Sequence, residues 1–379
     1  MRVSRSFLTA MGLLALLHGY IGARLLPDLA LSTAGWTVGV IFLVLSCVLM
    51  PVSMMTRSIR SQRLADRVAW TGLVTMGFFS SLLVLTLLRD VVLLLVAIFY
   101  STHAAGVVRL SAVLVAALAL LATVVGFVNA RRRARVVDVD IPIGNLPAPL
   151  HGFTIVQISD VHVGPTIKRG YVRAIVDAVN SLQADVIAIT GDLVDGSVRQ
   201  LGADVQPLAD LWARHGVYFV TGNHEYYSGE RAWTQELRRL GLRVLSNEHA
   251  IVTRNGALLV LAGVTDYSAH HFDPQQRSDP ALALRGAPAD AVKVLLAHQP
   301  RSAPAAASAG FDLQLSGHTH GGQFWPWNHF VRLQQPFTAG LHRLERMWVY
   351  VSRGTGYWGP PKRFGAPSEI TRIRLVARS

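Results

Sequence analysis

Residue types that commonly bind metal ions follow five apolar runs of this chain, each at the point where the run ends. Asp160 and His162 follow the first run, 154–159, which is predicted to form a strand. Side chains two positions apart in an extended chain point to the same side, so this pair could hold one cation. The second run ends at Gly191 and Asp192, where the glycine permits a sharp turn and the carboxylate stands at the strand tip. Each motif alone is weak evidence, because a polar turn with a solvated aspartate has the same sequence.

Three later apolar runs end in histidines. Asn223 and His224 follow the third run, behind a glycine, and the asparagine offers a neutral carbonyl oxygen as a ligand. His298 follows the fourth run, where a lone histidine is more often structural than a ligand. His318 and His320 follow the fifth run and are flanked by glycines that clear space around them. This last motif is the most specific of the five.

The five motifs together indicate one metal site. Short apolar runs that alternate with helical patterns predict an α/β domain. In open α/β sheets, ligands bind beyond the carboxyl ends of the strands, so five strand ends that all carry candidate ligands point to a common centre. Imidazole, carboxylate and amide ligands suit Mn, Fe or Zn. The one cysteine, Cys47, lies inside an apolar run and supplies no thiolate to the motifs.

In their order along the chain, the motifs resemble those of the calcineurin-like metallophosphoesterases. They read D-x-H at 160–162, G-D-x-x-D at 191–195, G-N-H-E at 222–225, a single histidine at 298 and G-H-T-H at 317–320. The sequences GHTHGGQ from Gly317 and VYVSRGTG from Val349 further resemble a bacterial branch typified by YkuE and YaeI. The resemblance extends over 153–375 and does not include the apolar runs before it.

This resemblance implies a four-layer αββα sandwich, of the α/β class, with two divalent transition-metal ions. It implies that His224 is not a ligand and instead faces the substrate. The ligands that it implies are Asp160, His162 and His320 for one ion, Asn223, His298 and His318 for the other, and Asp192 as the bridge between them.

Such a centre would hydrolyse a phosphoester or pyrophosphate bond. A hydroxide that bridges two metal ions can attack phosphorus in line with the leaving oxygen. We expect His224 to be the catalytic residue, which neutralises charge on the phosphoryl oxygens and, when protonated, donates a proton to the leaving group. Asp195 and Glu225 are interpreted as partners that orient histidines, and the alternative is that both are plain solvated carboxylates.

Residues 1–135 are dominated by apolar runs close to the ~20 residues that a helix needs to cross a bilayer. These runs lack a polar face, which argues against a soluble helical bundle. A fifth stretch, 91–100, follows Arg89 and Asp90, is too short to cross, and is predicted to be interfacial or re-entrant. The predicted transmembrane helices lie near 7–26, 36–55, 68–88 and 107–128.

Arginines predict the orientation of these helices, because basic residues favour the cytoplasmic side. The first run could also be a cleaved signal peptide, but the apolar runs that follow it favour a retained helix. We therefore expect a multi-pass protein of the inner membrane with both termini and the catalytic domain in the cytoplasm. Ten arginines lie at the ends assigned to the cytoplasm, and they are Arg2, Arg5, Arg57, Arg60, Arg63, Arg67, Arg131, Arg132, Arg133 and Arg135. Three lie at the opposite ends, and they are Arg24, Arg89 and Arg109.

The composition changes after the last apolar run. Prolines, Gly144 and Asn145 predict a linker over 136–152, and the metallophosphoesterase domain is expected to occupy 153–379. The formal net charge of +13 favours an anionic partner, but membrane orientation already accounts for many of the arginines, so no nucleic acid is expected.

The function expected is that of a membrane-anchored metal-dependent phosphoesterase. The membrane tether and the basic residues beside it favour a lipid-linked substrate, for which a UDP-2,3-diacylglucosamine-like lipid fits the family branch. Aromatic residues 324–327 follow the last motif and could either dip into the headgroup region or pack under the rim. The alternatives are a tethered phosphodiesterase or phosphatase for soluble nucleotides and a non-catalytic metal-binding scaffold. His224 argues against the scaffold, which would not need it.

Overall fold

The computed structural model describes residues 5–56, 59, 61–99 and 104–378. Arg2, Arg57 and Arg60, which the orientation argument counts, and Tyr100 lie outside these ranges. The chain divides into two compact units. The first is Met1–Asn129 with Gly359–Lys362, and the second is Ala130–Trp358 with Arg363–Ser379.

Within the described residues, four helices of the first unit are long and apolar enough to cross a membrane. Their side chains are largely exposed, as expected of surfaces that face lipid rather than water. Ser32 begins the second helix, where its hydroxyl accepts a hydrogen bond from the N–H of Gly35. The helices are α1 (Arg5–Leu25), α2 (Thr33–Met54), α3 (Gln62–Phe99) and α4 (Ala104–Arg131).

α3 differs from the sequence-based prediction, which separated a helix near 68–88 from an interfacial stretch at 91–100. One helix of 38 residues runs through both, and it is about 57 Å long at 1.5 Å per residue. The charged pair between the two parts does not end the helix, because both side chains have partners. Arg89 forms an ion pair with Asp28, and Asp90 pairs with Arg24 at 2.9 Å.

The second unit contains two six-stranded sheets. The order is β1-β12-β2-β3-β4-β5 in one sheet and β10-β11-β9-β8-β7-β6 in the other. β2, β3, β4 and β5 are parallel, as are β7, β8, β9 and β11, so their carboxyl ends meet at one edge of each sheet. The strands are β1 (Arg135–Ile143), β2 (Thr154–Ile158), β3 (Val186–Ile189), β4 (Val217–Phe219), β5 (Arg243–Val244), β6 (Glu248–Arg254), β7 (Ala257–Gly263), β8 (Val292–Leu296), β9 (Leu313–Ser316), β10 (Gly340–Leu344), β11 (Met347–Val351) and β12 (Glu369–Ala377).

Three apolar clusters show how the layers pack. One lies between the two sheets and joins Ile155 of β2 to Leu313 of β9. A second covers the outer face of the first sheet with helices, including the buried Trp233, and a third covers the second sheet with helices that include Ala303. The αββα sandwich is therefore confirmed. The helices are α5 (Arg169–Asn180), α6 (Val198–Val205), α7 (Asn223–Ser228), α8 (Glu230–Arg239), α9 (Pro280–Ala283) and α10 (Ala303–Ala309).

The beginning of the predicted linker is part of a sheet instead. Residues 135–143 form β1, which pairs in parallel with β12 along nine residues. The exposed carboxylates of Asp138 and Asp140 pair with Arg372 and Arg374 of β12 across the ladder. The prediction of a linker was wrong here because β1 is an edge strand, where a proline is tolerated.

Candidate metal centre

The carboxyl ends of β2, β3, β8 and β9 and the start of α7 bring the candidate ligands together. Seven aspartate and histidine side chains of the five motifs form three overlapping groups, in each of which the possible ligand atoms lie within 4.8 Å of one another. The groups are Asp160, His162 and His320, then His162, Asp192 and His224, and finally Asp192, His298 and His318.

The distances within these groups fit bound cations. Nε2 of His162 lies 3.1 Å from Nε2 of His320, and Nε2 of His298 lies 3.1 Å from Nδ1 of His318. Two ring nitrogens this close repel each other unless a proton or a cation lies between their lone pairs. Asn223 provides a further acceptor, since its Oδ1 is buried without a hydrogen-bond partner among the described residues. A buried polar atom left in that state costs about 1–3 kcal/mol, which a bound cation would offset.

Hydrogen bonds to the second ring nitrogen fix the orientation of two of these histidines. Nδ1 of His298 donates to the carbonyl oxygen of Thr190 at 2.8 Å, so Nε2 is left as the acceptor. Nδ1 of His162 donates to Asp195 at 3.1 Å, which likewise leaves Nε2 for a metal. Asp195 thus contacts a histidine of the ligand cluster.

The same Asp195 also contacts His224, whose Nδ1 lies 2.5 Å from the carboxylate. Burial opposes a charge on this ring, but Asp192 and Asp195 outweigh burial and raise the pKa of His224 to about 9. Divalent cations held by the neighbouring ligands would work against that charge. His224 lies edge-on against the rings of Tyr227 and Trp358, at centroid distances of 5.2 and 5.5 Å.

Glu225 differs from the sequence interpretation, which had it orient a histidine. Its buried carboxylate instead accepts hydrogen bonds from three main-chain N–H groups. The donors are Gly222 and Leu193, each at 2.7 Å, and Asp192 at 3.0 Å. Glu225 therefore links the loop that carries Asp192 to the loop that carries Asn223, and it acts on main chain rather than on an imidazole.

The backbone is strained at the candidate ligands. Asp160, His162, Asp192, His318 and His320 all have φ between 51° and 71°, a region that costs a residue other than glycine about 1–2 kcal/mol. Glycines make the close approach possible, since a Cβ at residue 317 would lie 2.2 Å from Oδ2 of Asp160. Strain of this kind persists only where the surrounding structure fixes the conformation, and it is typical of functional sites.

One residue beside the centre escaped the sequence analysis. Arg363 is 1% exposed and donates a hydrogen bond to the carbonyl oxygen of His320, 43 positions earlier in the chain. It lies outside the five motifs, and no regular spacing connects it to them. The nearby sequence VYVSRGTG carried the resemblance to a family branch but gave no reason to single out this arginine.

Comparisons with known proteins identify the family of this chain. The model of the calcineurin-like phosphoesterase family matches residues 153–322. A transmembrane protein with metallophosphoesterase domain from Danio rerio is 42% identical over 270 residues, which are 68% of this chain and 62% of that protein. A metallophosphoesterase from Aquifex aeolicus is 34% identical over 226 residues, 59% of this chain and 85% of that protein. YkuE from Bacillus subtilis is 27% identical over 242 residues, 61% of this chain and 81% of that protein.

The chain belongs to the calcineurin-like metallophosphoesterase family. It spans less than two thirds of the length of the Danio rerio relative. Four long apolar helices and the name of that relative indicate a membrane protein.

Proposed function

We propose that this chain is a membrane-anchored phosphoesterase with two divalent transition-metal ions, Mn, Fe or Zn, at the carboxyl ends of its strands. The bridging role of Asp192 is supported by its position, since its Oδ2 lies 3.1 Å from Nε2 of His298 and 3.8 Å from Nε2 of His162. The proposed ligands are Asp160, His162 and His320 for one ion, Asn223, His298 and His318 for the other, and Asp192 for both.

Two ions held by these residues would supply a water nucleophile near neutral pH and would neutralise charge on the phosphoryl group. The chain itself contributes His224, which Asp195 holds through Nδ1. Nε2 of His224 lies 4.0 Å from Oδ2 of Asp192, at the edge of the ligand cluster. We propose that His224 stabilises the phosphoryl oxygens and donates a proton to the leaving oxygen. Asp195 favours the protonated form of His224 and fixes its ring.

We further propose that the substrate is a phosphoester carried on a lipid. The observation that carries this proposal is a set of half-exposed aromatic side chains, which we call the aromatic rim; three follow the ligand His320 closely in sequence and the fourth lies against the ring of His224. Such side chains favour the headgroup region of a bilayer. The rim consists of Trp325, Trp327, Phe330 and Trp358.

The way the catalytic domain is joined to the helices also supports a lipid substrate. Three residues, 132–134, separate the end of α4 from β1, so the domain is tethered directly to the last apolar helix. Arg131, Arg132 and Arg133 at this junction would each contribute about 1 kcal/mol of attraction to an anionic membrane surface. A soluble nucleotide would use neither the tether nor the aromatic rim.

The test compares kcat/KM for an acylated phosphoester with that for its deacylated form, in mixed micelles. Trp325→Ala and Trp327→Ala should lower kcat/KM for the acylated form and leave the deacylated form unchanged. Trp212→Ala is the matched control, because Trp212 is also exposed but precedes β4, at the opposite ends of the strands from the ligands. Equal turnover of both forms, unaffected by the rim variants, would instead favour a tethered phosphodiesterase for soluble substrates.

We also propose that the catalytic domain faces the cytoplasm from the inner membrane. The support is the arginine distribution, ten at one side of the apolar helices against three at the other. Of the three, Arg24 and Arg89 are engaged in ion pairs with Asp90 and Asp28.

A further inference from the structure

Arg363 occupies an unusual place for an arginine, because its side chain is enclosed by main-chain carbonyl groups next to a candidate metal ligand. It is 1% exposed. Its Nη1 donates to the carbonyl oxygens of Arg353 at 2.7 Å and of Ala366 at 3.2 Å, and its Nε donates to that of Gly356 at 3.1 Å. Burying a cation costs free energy unless the cation is hydrogen-bonded, and here the main-chain carbonyl groups provide those bonds.

The segment that begins at His320 needs outside support. His320, Gly321, Gly322 and Gln323 have φ values of 52°, 58°, 78° and 55°, four consecutive residues in the left-handed region. This conformation is tolerated by the two glycines but costs His320 and Gln323 about 1–2 kcal/mol each. Nη1 of Arg363 donates to the carbonyl oxygen of His320 at 3.0 Å, at the start of this turn.

Arg363 also touches the imidazole ring of His320. Its Nη2 lies 3.2 Å from Nδ1 of that ring. The opposite edge of the ring faces the other members of its ligand group, with Nε2 3.5 Å from Oδ1 of Asp160 and 3.1 Å from Nε2 of His162. A guanidinium can only donate, and a histidine that ligates through Nε2 carries its proton on Nδ1. The hydrogen bond to the main-chain carbonyl oxygen, rather than the ring contact, is therefore what positions His320.

The hydrogen bonds that position the other ligand group do not come from Arg363. His298 is oriented by the carbonyl oxygen of Thr190, and the main-chain N–H of His318 donates to Asp160 at 2.9 Å. These contacts of Arg363 involve neither the ring of His298 nor that of His318. A change at Arg363 should therefore act on one ligand group and spare the other.

We infer that Arg363 is a positioning residue, which holds His320 as a ligand for the ion shared with Asp160 and His162. This inference rests on the proposed dinuclear centre. Removing the guanidinium should weaken one of the two metal-binding steps by about 10–100-fold, the loss typical when a residue that supports a ligand is removed, and should leave the other step unchanged.

The test titrates metal-free, detergent-solubilised full-length protein with Mn²⁺ by calorimetry. Arg363→Met should show one binding step like the wild type and one weakened step. Arg353→Met is the matched control, because Arg353 lies in the same region but uses its guanidinium to pair with Glu369 at 2.8 Å. That variant should keep both steps. Arg363→Lys retains a buried cation without the fork of donors, so it should lose affinity at the same step, and a cooperative melting transition shows that it folds.

Two unchanged binding steps in Arg363→Met would overturn the inference, and so would an equal loss of both steps in Arg363→Lys. If Arg363→Met does not fold, the Mn²⁺ titration of Arg363→Lys tests the inference. A wild type that binds a single ion would contradict the dinuclear centre instead. In that case, Arg363 variants that bind this ion as tightly as the wild type would overturn the inference.

Discussion

Glu225 gives the sharpest test of how the loops of the site are held. Its buried carboxylate accepts three main-chain hydrogen bonds, from Gly222, Asp192 and Leu193. Glu225→Ala would remove both acceptor oxygens and leave three buried N–H groups without a partner. We expect the variant to lose stability whether or not metal is present, because the donors belong to the backbone.

The size of the loss follows from the number of bonds. Each hydrogen bond to a charged group contributes about 1.5–3 kcal/mol. The three contributions do not add fully, because water can enter the space left behind. Burial and the neighbouring Asp192 raise the pKa of Glu225. A protonated carboxyl is a weaker acceptor than a carboxylate, so the stability loss on removing it is smaller. We expect a loss of about 3–6 kcal/mol, or about 6–24 °C in melting temperature for a domain of this size.

The assay is thermal unfolding of the purified chain in detergent, followed by tryptophan fluorescence, with and without chelator. Glu236→Ala is the control, because Glu236 forms a surface pair with Arg239 that should contribute about 0.2–1 kcal/mol. If Glu225→Ala melts within about 2 °C of the wild type in chelator, the reasoning is refuted. A defect seen only with metal would restore the idea that Glu225 acts through a histidine.

Three further predictions concern the metals, the proton donor and the membrane. Asp192→Ala should lose both ions and all activity, since its carboxylate lies near His298 and His162, the proposed ligands of different ions; metal analysis that finds one ion retained would contradict the bridging role. His224→Ala should keep its ions and lose about 10²–10⁴-fold in rate, whereas an emptied site would make His224 a ligand. Reporter fusions should place Ser61 and Ser379 inside the cell and Asp28 and Ala104 outside, and an external signal at Ser379 would overturn the orientation.

The ligand motifs could be read from the sequence because each follows an apolar run and a glycine marks several of the turns. Gly191, for example, has a φ of 86°, as a sharp turn requires. The role of Glu225 could not be read in this way. Its partner Gly222 is three residues away, but Asp192 and Leu193 lie in a different loop, and only the folded sheet brings the two loops together.

β1 and α3 show two other limits of local patterns. Residues 136–143 contain a proline and end before a glycine, which favours a linker, yet their partner β12 lies more than 200 residues later in the chain. The charged pair Arg89 and Asp90 suggested the end of a membrane helix, yet each finds an opposite charge outside α3. In both cases a distant partner decided the local structure.

We propose that two ions share this site and that the chain needs both for hydrolysis. Elemental analysis of the purified full-length protein, paired with a phosphodiester assay during stepwise removal and return of metal, tests it most directly. We expect about two transition-metal ions per chain and activity that disappears and returns with them. Full activity with a single ion, or with none, would contradict it.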